Sequence, residues 1–467
     1  MTTQQQATPE FKRGLIVAVL ISGAFVAILN QTLLATALPH IMKDLSLDNT
    51  TVQWLQTVFL LVNGIMIPIT AFLIGSFSTR KLFLTAIALF GIGTLICAVA
   101  PNFGFLIVGR IIQASGAGII MPLMQTIFFA IFPIEKRGAA MGMFGLVIAF
   151  APAIGPTLSG WIVTNHSWRV LFYIVLPIAI LDFIFAFFIL KNVTKLTYPK
   201  LDIFSIILST IGFGGLLYGF STAGTKGWGD IEVIVTLAVG AVALILFIIR
   251  QLKLQQPILE FRVFKYGTFT LTTAIGMIVF LVMISGATIL PLYMQDMLGY
   301  SPLKSGVMLL PGAIVMGVLS PITGRIFDKI GARWLALVGL IITTITTFTF
   351  TNLSAHTSYT YLATMWAIRM FGIAMVMMPV TTAGLNQLPQ KLIPHGTAMN
   401  NTMRQVAGSI GTALMFTIMA NTALDVKTHG IQGIIHGVNV AFFVAACICI
   451  IGIALSFFIK KTRRVAE

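Results

Sequence analysis

Acidic side chains are scarce in this chain: thirteen Asp and Glu stand against 29 Lys and Arg in 467 residues. Charge of either sign makes up only 9% of the sequence, where a soluble domain carries about 25%. That deficit, with a mean hydropathy of +0.98, excludes a protein solvated mainly by water and puts most of the length in lipid. Cysteine is scarce too. Cys97, Cys447 and Cys449 all fall in apolar runs, which argues against a disulfide framework or a thiolate metal site. No G-x-x-x-x-G-K-[ST] phosphate loop, H-E-x-x-H or G-x-S-x-G occurs, and the six His are isolated, in loops or near helix ends. ATP coupling within the chain and intramembrane enzymology are both disfavoured, and no metal or cofactor is expected. A cleavable leader is not visible: the first apolar run is too long and lacks a small-residue cleavage site, so it reads as a true span.

What is there is hydrophobic length. Runs of about 20 apolar residues, each enough to cross a ~30 Å core, recur fourteen times: 14–39, 51–74, 82–100, 104–131, 138–163, 169–190, 203–222, 232–250, 268–295, 304–324, 334–353, 359–384, 396–420 and 436–459. In lipid every backbone amide must be satisfied within its own span, so the expected fold is an all-α integral membrane protein with fourteen transmembrane helices. With both termini cytoplasmic, 21 of the 29 basic residues fall in cytoplasmic loops, among them Lys12, Arg13, Arg80, Lys81, Lys136, Arg137 and the tail Lys460, Lys461, Arg463 and Arg464. The outer loops hold five (Lys43, Arg169, Lys226, Lys304 and Lys427), and Arg110, Arg369 and Arg404 remain inside the membrane. An odd number of spans would spoil that positive-inside split. The net charge of +16 follows mostly from topology, with some attraction to anionic lipid, and needs no nucleic-acid partner.

The chain also resembles itself. "ATALPHIMKDL" (35–45) returns as "ATILPLYMQDML" (287–298), and "PIT" at 68–70 and 321–323 is followed at the same distance by Arg80 and Arg333. Arg110 and Pro122 correspond to Arg369 and Pro379, and "GAAMG" (138–142) to "GTAMN" (396–400). These offsets pair span 1 with span 9, 2 with 10, 4 with 12 and 5 with 13, so spans 203–222 and 232–250 must be inserted between six-helix halves. The expected organisation is a six-helix pseudo-repeat in 1–190, two central helices with flanking loops in 191–266, and a second six-helix half in 267–467. Parallel six-helix repeats with a site at the midplane between them form the architecture of rocking alternating-access transporters.

Three stretches resemble the major facilitator superfamily and, within it, the fourteen-helix drug:proton antiporters of the quaternary-ammonium-resistance and lincomycin-resistance type. "GLVIAFAPAIGPTLSG" (145–160) is similar to the antiporter signature, with Pro152, Gly155, Pro156 and Gly160 in place, although Ala151 and Ser159 stand where that signature has glycine. Each proline removes an amide and kinks its helix, and Gly155 and Gly160 would let a neighbouring helix approach closely. "RIIQASGAG" (110–118) resembles the Arg-containing motif associated there with proton coupling; a guanidinium inside lipid costs at least ~2.5 kcal/mol, so Arg110 must face protein or water. Its alternative role is structural, satisfied by backbone carbonyls. "GRIFDKIGAR" (324–333) resembles the cytoplasmic loop motif, matching at Gly324, Asp328, Gly331 and Arg333, and in the family that motif clamps helices through charge pairs and helix ends. The copy at 71–81 has Gly75 where the pattern expects Asp, which implies a weaker latch there. "NTMRQVAGSIGTAL" (401–414) also looks typical of the fourteen-helix group.

The resemblance implies a proton-coupled exporter of small amphiphilic compounds in a bacterial plasma (inner) membrane, with protons, such substrates and lipids as partners, the proton gradient as energy source, and a monomer as the working expectation. The alternatives are an exporter of a physiological lipid, peptide or metabolite, or a non-transporting sensor of the same fold. Within this frame Asn30, Gln31 and Thr32 are polar groups in an apolar stretch, either lining the cavity or joining span 1 to a neighbour. In many relatives a carboxylate occupies the position of Asn30, and Asn cannot titrate. Gln113 shares a helical face with Arg110, as Asn400 and Asn401 do with Arg404, and Gln113, Asn400, Asn401 and Arg404 with Asn30 and Gln31 are the cavity candidates. Of the thirteen acids only Asp182 falls near the bilayer middle, roughly 13 Å along its helix from Lys191. Desolvation disfavours a carboxyl's charged form, which suits Asp182 to carry the coupling proton, sensed by Arg110; the rival is an Asp paired permanently on a neighbouring span. Asp44 and Asp296, near the outer ends of spans 1 and 9, are weaker candidates. Three Arg against one Asp make the interior net positive, which favours neutral, zwitterionic or weakly anionic cargo over permanent cations.

Overall fold

The computed structural model describes residues 13–459, residue 195 excepted. Lys12, Lys460, Lys461, Arg463 and Arg464 of the basic ends, with Glu10 and Glu467, lie outside the described residues. The rest is helical, with no strand among the described residues: α1 (Arg13–Asp44), α2 (Asn49–Ser76), α3 (Thr79–Ala98), α4 (Phe103–Ile131), α5 (Arg137–Asn165), α6 (Val170–Ile189), α7 (Ile203–Lys226) and α8 (Ile231–Lys253). After a linking segment follow α9 (Gly267–Leu292), α10 (Pro302–Ile330), α11 (Ala332–Thr349), α12 (Tyr359–Leu385), α13 (Ile393–Thr422), the short α14 (Val426–His429) and α15 (Ile431–Ser456). Several begin where a side chain can cap them. Asp48 accepts from Thr51 N at 2.6 Å, and Asn102, Ser301 and Ser358 accept equivalently at α4, α10 and α12, satisfying amides that have no intrahelical acceptor.

Thirteen of these helices are long and apolar enough to cross a membrane. Besides the four-residue α14, the helix outside that set is α13. It has the length, thirty residues, but it carries Asn400, Asn401, Thr402 and Arg404. Those four are buried, so the polar face of α13 is turned into protein, where partners can replace water.

Packing follows the same scheme at both ends of the chain. α1 packs on α5 and α6, and α3 on α4 and α6; α9 packs on α13 and α15, and α11 on α12 and α15. The hairpin α7–α8 stands apart from both sets. α7 lies against α2 and α13, inserting Leu217 beside Gly64 of α2 and stacking Tyr218 on Trp54 with ring centroids 5.6 Å apart. α8 packs mainly on α7 and exposes an apolar face that includes Ile234, Val242, Ile245 and Leu246, as a lipid-facing helix must. Arg250 donates through Nε and Nη2 to both oxygens of Asp202, at 2.7 and 3.0 Å, closing the hairpin at its Lys/Arg-rich end.

The broadest contact in the bundle joins α5 to α10. A Cβ on Gly138 would stand 2.4 Å from the Gly324 carbonyl oxygen, and one on Gly324 would stand 2.2 Å from the Gly138 oxygen, so only glycine at both positions permits this approach. Asp328 locks the crossing: its two oxygens accept from the backbone amides of Gly138 and Ala139 at 2.8 and 2.9 Å, placing a carboxylate on the first turn of α5, where helix dipole and unpaired amides favour it. Gly331 ends α10 with φ +82°, and Arg333 is exposed. At the corresponding turn of α2, the Gly75 carbonyl instead accepts from the amides of Thr197 and Tyr198. A charged clamp on one side thus has a neutral loop contact as its counterpart. Asp328→Ala is expected to loosen the α5–α10 seam. A cysteine at Ser320, which is 1% exposed in that seam, should then react several-fold faster with a thiol reagent in a Cys447→Ser background; unchanged labelling would count against the clamp.

Candidate functional site

A cavity of about 240 Å³ opens between the helices, walled by Gln31 and Thr32 of α1, Gln56, Phe59 and Leu60 of α2, Arg110 of α4 and Pro156 of α5. Gln56 and Phe59 sit in the N-terminal half of α2 and Arg110 in that of α4, so the cavity occupies the half of the bundle away from the Lys/Arg-rich end. Beneath it the two halves of the chain meet. Asn401 donates to Gln125 Oε1 at 2.8 Å, the Thr126 and Thr397 hydroxyls are 3.0 Å apart, and Arg137 donates to Asn386 Oδ1 at 3.0 Å. With the α5–α10 crossing, these contacts shut the Lys/Arg-rich end.

Arg110 forms the inner wall. It is 1% exposed and its guanidinium lies 4.0 Å from the Phe59 ring centre, a placement that uses the ring's negative face. Nε donates to the Leu55 carbonyl at 3.1 Å, and Nη1 donates to Asn30 Oδ1 at 2.8 Å and Gln113 Oε1 at 2.7 Å. Gln113 in turn donates to Thr94 Oγ1 of α3 at 2.7 Å. Arg110 therefore joins four helices through neutral acceptors. Arg369 repeats the arrangement in the second half, donating to the Val282 carbonyl of α9 at 2.6 Å and to Thr347 of α11 at 3.2 Å.

The residues named from sequence divide accordingly. Gln31 and Thr32 line the cavity, whereas Asn30 and Gln113 lie behind it as ligands of Arg110. Asn400, Asn401 and Arg404 do not line this cavity. Arg404 donates to Thr381 and the Met377 carbonyl of α12, Asn400 reaches Thr273 of α9 at 3.5 Å, and Asn401 forms the cross-half bond to Gln125. Asp182 is 3% exposed and has Ser22 of α1 as its hydrogen-bonding neighbour, with its Oδ2 beside Gly23 and without a partner among the described residues. It makes no hydrogen bond or ion pair with Arg110, whose Nε and Nη1 bond Leu55, Asn30 and Gln113. Asp44 pairs with Arg169 at 2.9 Å and accepts from Trp168, and Asp296 is exposed. Gln56 and Gln125 went unremarked in the sequence; the signal was a glutamine inside each of two otherwise apolar spans.

The proline-glycine stretch of α5 contributes unevenly. A Cβ on Gly155 would fall 2.1 Å from Thr32 Oγ1, so Gly155 lets α1 and α5 touch beside the cavity, and Pro156 is part of its wall. Gly160 departs from expectation: a Cβ there would meet nothing within 4 Å, because no neighbouring helix approaches the end of α5 at that point. Both prolines sit within one continuous helix. Gly155→Ala is expected to cost about 1–3 kcal/mol through overpacking and Gly160→Ala close to nothing, as read by thermal melting in detergent. Equal effects of the two would contradict the asymmetry.

Comparison with known proteins agrees with this architecture. The chain is 57% identical over its full length to an uncharacterized MFS-type transporter, YcnB of Bacillus subtilis, covering 99% of that protein. It is 43% identical to the lincomycin resistance protein LmrB of the same organism, over 99% of both chains. The human organic anion transporter MFSD10 has the same fold, with a TM-score of 0.64 at 13% identity over 94% of this chain and 99% of that one. The model of the Major Facilitator Superfamily matches residues 20–412, and the chain, a multi-pass membrane transporter rather than an enzyme, belongs to that family.

Proposed function

We propose that the chain is a proton-coupled multidrug exporter, moving amphiphilic compounds that are neutral, zwitterionic or weakly charged out of a bacterial cell by alternating access. The observation that carries this reading is a cavity in one half of the bundle above a sealed seam in the other. Such a shape is the outward-facing member of an alternating-access pair, provided the Lys/Arg-rich end is cytoplasmic, and the loop charges favour that orientation, with both termini inside. The matched packing around α1–α6 and around α9–α13 with α15 supports two six-helix halves, 1–190 and 267–467, with 191–266 inserted and α13 as the fourteenth span. Full-length similarity to a lincomycin resistance protein supports an antimicrobial-like cargo.

We assign the coupling proton to Asp182. It is the one acid at membrane depth in the sequence, it is buried, and one of its oxygens has no partner among the described residues. α1 connects it to the cavity. Ser22, beside Asp182, and Asn30, on Arg110, are eight residues apart, about 12 Å along one helix. A shift of α1 when the carboxyl gains or loses its proton would therefore be felt at the Arg110 cluster. One proton entering against a neutral substrate gains about 2.3 kcal/mol per 100 mV, enough for a gradient of about fifty-fold.

Everted vesicles with an acid-inside gradient, read by a quenched dye, provide the test. In a panel of neutral, zwitterionic and cationic antimicrobials, the neutral and zwitterionic ones should restore fluorescence with wild type and fail to do so with Asp182→Asn at matched expression. A response that survives in the variant would move the proton to another group. No response from any compound in wild type would refute drug antiport.

A further inference from the structure

Arg110 is a buried cation whose partners are all neutral. Leu55 offers a carbonyl, Asn30 and Gln113 offer amide oxygens, and Nη2 has no partner among the described residues. The cavity wall that Arg110 shares with Gln31, Gln56, Phe59, Leu60 and Pro156 contains no carboxylate. Asp182, the acid at membrane depth, is turned toward Ser22 of α1 and is not part of this wall. A guanidinium removed from water without an anion is expensive, and a ligand that supplies the anion recovers the loss. Charge-assisted hydrogen bonds to such a group are worth about 1.5–3 kcal/mol, or about ten- to a hundred-fold in affinity.

The rest of the wall describes the rest of the ligand. Phe59, Leu60 and Pro156 form an apolar surface, the Gln31 and Gln56 amides can accept or donate at its edge, and about 240 Å³ suits an aromatic or short-chain body. From this geometry we infer that the cavity recognises an amphiphile bearing a carboxylate, which pairs with Arg110 while its apolar body lies against Phe59, Leu60 and Pro156. The assignment rests on reading this cavity as the substrate site. Asn30 is the specificity-determining position: its neutral amide leaves the guanidinium's charge for the ligand, whereas a carboxylate there, at the same 2.8 Å contact with Nη1, would neutralise it from within.

The test is calorimetric binding to the intact protein in phosphatidylcholine nanodiscs, with no proton gradient. Three probes share one aromatic body and differ in charge: 1-naphthylacetate, 1-naphthylacetamide and a 1-naphthylmethyl-trimethylammonium salt. Wild type should bind the acid about tenfold or more tightly than the amide and the cation least. Asn30→Asp should erase the preference for the acid and raise affinity for the cation; Arg110→Gln should lose acid binding, but Asn30→Asp keeps the test sound where that variant fails to fold. Equal binding of acid and amide by wild type, an acid preference unchanged in Asn30→Asp, or no binding of any probe would overturn the inference. So would displacement of the acid by phosphatidylglycerol in the nanodisc, which would assign the cavity to a lipid phosphate. Because the measurement needs no gradient, failure of proton-driven export in vesicles and failure of carboxylate recognition are separate results.

Discussion

A polar group inside lipid has no water to turn to, and this constraint organises the rest of the molecule. It makes every span a helix, since only a helix pairs its own amides. It also forces each polar side chain at depth toward another helix. Arg110 illustrates the outcome most fully: one guanidinium touches α1 and α2, reaches α3 through Gln113, and lies over Phe59. Arg369 and Arg404 do the same work among α9, α11, α12 and α13. The buried arginines are thus the points at which each half is held together.

The boundary between the first and second halves of the chain is built differently. There the contacts are glycine to backbone, hydroxyl to hydroxyl and amide to amide, with charged groups at Asp328 and Arg137. Neutral hydrogen bonds each contribute only about 0.5–1.5 kcal/mol net, so such a seam can close tightly and still part. The counterpart of the Asp328 clamp, at Gly75, is a pair of backbone hydrogen bonds to the loop before α7. The C-terminal turns of α10 and α2 are therefore held by different chemistry, and the loop before α7 is tied to the second.

Asp182 and the cavity both border α1: the carboxyl lies beside Ser22 and Gly23, and Gln31 and Thr32 line the cavity. The Asp182 carboxyl stands against Ser22, and Asn30, eight residues further along the same helix, bonds Arg110, so the two surroundings share one rigid element.

How much of this was legible in the sequence depends on the range of the interaction. Helix positions were readable to within a few residues because hydrophobic length acts locally. The buried state of Arg110, Asp182 and Arg404 was readable because lipid leaves a charge at that depth no other place to go. Which partner each would find was not. Asn30 and Gln113 become ligands of Arg110, Asn401 crosses to Gln125, and Gly160 faces open space although its motif suggested a close neighbour; these outcomes depend on helix rotation and on contacts between residues as far apart as 276 positions. Sequence by itself determined an all-helical membrane protein with an interior richer in positive than negative charge. The tertiary structure alone decided where that charge meets a cavity, because a helix fixes the spacing of its side chains but not the neighbour they face.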